Sequence, residues 1–135
     1  MRNAILAVLV ALAMTPSFGQ LHKATAENVM DEFHAKEWAV LGKGKLVASL
    51  LEQTVELAAA ADIDIPKVDE IGKVLTVQVP IYERTLKAFR AFYDKNADVI
   101  WANATAADKD DLKELASVVN RINKAEAEIK AMGSK

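Results

Sequence analysis

The chain has 135 residues, 27 % charged and 52 % hydrophobic, with a formal net charge of −2 at pH 7 and no cysteine. Without cysteine, disulfides and thiolate metal sites are excluded, so the fold has to be held by a packed core. Mild acidity with interspersed signs argues against a nucleic-acid binder, which would present a basic stripe.

The chain opens with MRNAILAVLVALAMTPSFGQ. Arg2 supplies the positive start, Ala4 to Met14 an apolar run, Pro16 a break, and Ser17 and Gly19 the small side chains that a signal peptidase accepts. This layout predicts a secretory signal peptide over residues 1–19, cleaved after Gly19, and a single mature domain over residues 20–135. A single pass through a bilayer needs about 20 apolar residues and this run is about half that, so no stable membrane insertion is expected after cleavage. Cleavage removes Arg2 and no acid, which leaves a net charge of about −3. A periplasmic or secreted location in a bacterial host is expected.

Apolar residues then recur at helical spacing between short breakers, which predicts an all-α, antiparallel bundle of about four helices. The first helix is expected over Ala26 to Leu41, with Val29, Met30, Phe33, Trp38 and Leu41 as its stripe and Gly42 and Gly44 as its stop. Next, LGKGKL lacks the spacing and the preceding strand of a phosphate loop and reads as a hinge. The second helix is expected over Lys45 to Ala61, with Val47, Leu50, Leu51, Thr54 and Ala58 on one face, before DIDIP ends it at Pro66.

Val68, Ile71, Leu75, Gln78, Tyr82, Leu86, Phe89 and Tyr93 follow unbroken steps of three and four, the pattern of one helix of about 28 residues. Pro80 lies inside it. A proline in a helix interior costs about 3 kcal/mol, so a third helix kinked or interrupted near Pro80 is predicted. A strand over Thr76 to Ile81 is the local alternative, but it has no partner in the sequence. VIWANAT reads as a loop-like connection. In the last helix Thr105 and Asp108 make a variant capping box, Leu115, Val118, Ile122, Ala125, Ile129 and Met132 form the stripe, and Gly133 ends it.

Few residues carry recognisable chemistry. His34 stands three residues after Asp31 and seven after Glu27, half of the arrangement that bundle metal sites use; the only other histidine, His22, lies near the mature start, so no metal site is assigned. Met30 and His34 share one helix face and cannot flank an iron from opposite sides, and no cofactor is expected. Ser49 falls mid-helix without a nucleophile elbow, and Arg84, Lys87 and Arg90 lie opposite the apolar stripe, so neither nucleophilic catalysis nor an inward arginine cluster is supported. The chain is expected not to be an enzyme.

The aromatic sector near Pro80 suits a core helix, and it also suits a wall bent open. On the second reading Tyr82, Phe89, Phe92, Tyr93 and the following Trp101 are the candidate ligand- or partner-binding residues. The function expected is that of an exported binding protein engaging another protein or a second copy of itself. The alternative is a carrier of a small apolar ligand in a pocket lined by the aromatics near Pro80.

Overall fold

The computed structural model describes residues 23–133, with side chains from residue 26 onward. The expected signal segment, residues 1–19, and His22 lie outside the described residues. Among the described residues four helices follow one another, α1 (Lys23–Ala59), α2 (Ile65–Lys95), α3 (Ala97–Asn103) and α4 (Ala106–Gly133), and the fold is an all-α bundle.

α1 is continuous for 37 residues, through both glycines that were expected to stop it. Two glycines cost about 1 kcal/mol each relative to alanine. Burial on both sides of them outweighs that: Phe33, Val40, Val47 and Leu51 are all buried on one face, and each such side chain contributes roughly 1.5–3 kcal/mol. Gly44 is also needed at its place. A Cβ there would stand 2.8 Å from Val118 Cγ1 and 3.2 Å from Tyr82 Cε1, so its bare backbone lets α1, α2 and α4 approach closely at this point. The helices expected over 26–41 and 45–61 are therefore one.

Residues 60–64 turn the chain, and the Asp64 carboxylate accepts from the Lys67 N–H at 3.1 Å, with Pro66 in the first turn where no donor is lost. α2 then runs unbroken past Pro80. Pro80 and Thr76, whose carbonyl loses its usual donor, are both exposed, so water can serve that carbonyl. Ile71 before the proline and Tyr82, Leu86 and Phe89 after it are buried, which holds one helical phase across the break and displaces the strand alternative.

Asn96 ends α2: its backbone N–H donates to the Phe92 and Tyr93 carbonyls, and its Nδ2 to the Phe92 carbonyl at 2.9 Å. The stretch expected as a loop is instead the helix α3, because Ala97, Val99 and Ile100 are buried against the bundle. With α1 counted once and α3 added, the described residues form four helices with other members than the sequence suggested.

Cross-helix contacts give the topology. Phe33 meets Phe89 and Tyr93 while Lys43 meets Gln78, so α1 and α2 are antiparallel. His34, Lys45 and Glu52 pair in order with Asp108, Glu114 and Arg121, so α4 runs alongside α1 in the same direction. α1 packs along both α2 and α4, and α3 makes the corner between them.

Candidate functional site

The residues singled out near Pro80 turn inward for the most part. Tyr82, Phe89 and Tyr93 are 5 %, 2 % and 3 % exposed, and Phe89 and Tyr93 pack with Phe33 at ring separations of 5.9–6.1 Å. Phe92 is half-buried, with Lys36 Nζ 5.7 Å from its ring centre, and Trp101 on α3 is half-buried under Lys109 Nζ at 5.0 Å. These contacts make Tyr82, Phe89 and Tyr93 core side chains, and leave Phe92 and Trp101 at the rim with cations on their faces.

A groove of about 540 Å³ does lie beside Pro80, lined by Pro80, Glu83, Arg84, Leu86, Lys87 and Arg90. None of the five aromatic candidates lines it. Pro80, Glu83, Arg84 and Lys87 fall about 120° or more around the helix from Phe89, on the side of α2 turned away from its contact with Phe33, while Leu86 and Arg90 reach back toward the core.

Two polar features emerge where four helices meet at the α3 end. Asp108, in the first turn of α4, accepts at Oδ2 from the Thr105 N–H (2.9 Å) while its own N–H donates to Thr105 Oγ1 (3.1 Å), which completes the predicted capping box. Its Oδ1 lies 2.9 Å from His34 Nε2, joining α4 to α1. Burial would raise the Asp108 carboxyl, but the bonds from the Thr105 backbone, His34 and the Thr105 side chain outweigh it and hold it below the ordinary aspartate range. His34 is thus turned toward Asp108, on another helix, and not toward Asp31.

One turn along α1, Glu37 is 0 % exposed, and no described residue hydrogen-bonds to either of its carboxyl oxygens. Burial first, and the charges of Asp111 and Asp108 second, push its carboxyl up to about 8. The Tyr93 hydroxyl is likewise buried with no hydrogen-bond partner among the described residues, and it is raised to about 12 by burial, Glu37 and Asp94. The sequence stripe that takes Trp38 as an inward residue leaves Glu37 out of it. Read through Gly42 and Gly44, residues 30, 33, 37, 40, 44, 47 and 51 form one three-and-four stripe with a single acid in it. Among the described residues no group of three or more His, Asp or Glu side chains is placed to hold a metal ion.

The surface offers a different feature. Trp38, expected in the inner stripe, is 69 % exposed. Five residues separate it from Phe33, about 140° around the helix, so it points outward. Leu46, 41 % exposed, stands two turns later on the same side. Gly42 lies between them with nothing within 4 Å of the position its Cβ would take. Ala35, Trp38, Ala39, Gly42, Leu46 and Ser49 make an outer strip without a charge.

No protein-family model matches the chain, and no curated protein or solved structure is significantly similar to it. Among the described residues no helix is long and apolar enough to cross a membrane.

Proposed function

We propose that this chain is an exported binding protein that works through the outer face of α1, engaging another protein in the envelope or outside the cell. One observation carries the reading: an exposed tryptophan, with Leu46 and a glycine notch, on an uncharged strip of a helix whose opposite face is already buried in the core. Tryptophan left in water forfeits a large apolar burial, and tryptophans are among the residues that dominate binding energy at interfaces. The leader layout of residues 1–19 supports export.

The test is photo-crosslinking of the chain in its host's envelope fraction from positions 38 and 46, with position 128 on α4 as control. A recurrent adduct from the first two, lost in Trp38→Ala while the melting temperature stays put, is the expected result. Trp38→Ala should shift stability by less than about 0.5 kcal/mol, as surface changes do. Equal adducts from all three positions, or capture unaffected by Trp38→Ala, would overturn the reading.

A second reading, as a carrier, draws on the groove beside Pro80. Its volume falls in the range of ligand sites, about 300–1,000 Å³. Arg84 and Lys87 at its edge favour a ligand with an apolar body and an anionic group over a wholly apolar one. Native mass spectrometry of the chain from its host separates the two readings, since a carrier co-purifies with a small mass that denaturation releases.

A further inference from the structure

Glu37 and Asp108 are the two buried charged side chains among the described residues, and they are treated in opposite ways. Asp108 is served by Thr105 and His34. Glu37 has no hydrogen bond from any described residue. An ionised carboxylate without donors is far costlier in a protein interior than a neutral carboxyl, so the folded chain favours the protonated form.

Two acids near it, Asp108 and Asp111, sharpen this preference. From α1 comes His34, engaged with Asp108 at 2.9 Å. α4 contributes Asp108 and Asp111, both of which act against a negative charge on Glu37. On α2 stand Tyr93, with Asp94 beside it, and Arg90 one turn earlier, half-buried. α3 presents the apolar Ala97, Val99 and Ile100 to the core.

We propose that Glu37 is a proton-binding site that locks the α3 end of the bundle: with its proton it stays in the core, and on releasing the proton to solvent it leaves the core and loosens α1 from the first turns of α4. The chemistry is a single proton exchanged with water. It requires nothing of the outer face of α1 and stands apart from the binding reading.

The sign of the pH dependence follows. The folded-state carboxyl is raised from 4.5 to about 8, so over that interval the folded chain holds a proton that the unfolded chain has lost. The stabilisation is complete below the lower value and falls as pH rises, by up to about tenfold in the folding equilibrium per pH unit, levelling off above the upper value. Asp108 acts in the other direction and elsewhere. Its carboxyl is lowered from 3.8, so its contribution is lost only as pH falls below that value.

The experiment is denaturant unfolding of the full chain at a series of pH values from about 5 to about 9, comparing wild type with Glu37→Gln, which cannot ionise. Both proteins keep His34, Asp108 and Asp111, so the comparison isolates the Glu37 carboxyl. The expected result is that the ratio of the two folding constants, wild type over variant, falls by about a hundredfold to a thousandfold across the window. A ratio that stays constant overturns the proposal. Should Glu37→Gln fail to fold, carbon-13 NMR of the Glu37 carboxyl in the wild-type chain decides: titration above pH 7, together with a change in the fluorescence of Trp38 and Trp101, is expected, and titration at the ordinary glutamate value overturns the proposal.

Discussion

Asp108 shows how much one side chain can carry. Its carboxylate closes the N-terminus of α4 through Thr105 and reaches His34 on α1, so cap and tertiary contact are one group. Thr105→Ala should cost about 1 kcal/mol, the usual value of an N-cap. Asp108→Ala strips the cap and the His34 contact together and should cost about 2–4 kcal/mol, since hydrogen bonds to a charged group are each worth about 1.5–3 kcal/mol. Urea unfolding of the two variants checks this, and equal losses would show that the His34 contact contributes nothing. The capping box was legible because it is local, three residues apart. His34 was legible only as a titratable residue: its partner is 74 positions away, and no spacing rule links the two.

At the level of elements, α2 shows burial overruling a local breaker. Pro80 removes one hydrogen bond, at a cost of about 3 kcal/mol, while Ile71, Tyr82, Leu86, Phe89 and Tyr93 are all buried in the same helical phase. Pro80→Ala should therefore stabilise the fold by about 1–2 kcal/mol, the restored helix bond being offset by the greater freedom of the unfolded chain. Thermal unfolding is the measurement; an unchanged or lower melting temperature would count against an unbroken helix there. The ion pairs between α1 and α4 work differently. Arg121 forks onto Glu52, Nε to Oε2 at 3.1 Å and Nη2 to Oε1, and Lys45 meets Glu114 at 2.7 Å, yet all four side chains are 41–50 % exposed. Pairs so open to water are worth about 0–1 kcal/mol, so they set the register of the two helices more than they hold them together.

Across the whole molecule, Gly44 is the point where three helices meet. A methyl group there would collide with Val118, a stiff β-branched side chain that is 2 % exposed, and with the ring of Tyr82. Gly44→Ala gains about 1 kcal/mol in helix propensity. It should nonetheless destabilise the chain, because forcing an extra methyl into a packed core costs about 1–3 kcal/mol. Gly42→Ala, with open space around it, should stabilise by up to about 1 kcal/mol. Denaturant midpoints of the pair provide the check: two glycines in one helix, two residues apart, with opposite signs.

What the sequence determined by itself was the all-α class, the continuity of apolar spacing along α2 and α4, and the cap at Thr105 and Asp108. All of these rest on neighbours within four residues, where helical geometry alone places side chains together. Tertiary structure decided the rest. Whether Gly42 and Gly44 end a helix depends on what packs beyond them, and Tyr82 and Val118 supply that answer from 38 and 74 residues away. VIWANAT became α3 because its apolar residues found a core to cover. Trp38 faces outward and Glu37 inward because a residue's face is set by its phase relative to the residues that find a core, here Phe33 and Val40, and not by its own polarity. Five candidate aromatics were legible as a cluster, but which of them point at a ligand and which at one another is a property of the neighbouring helices, and those are chosen by long-range packing.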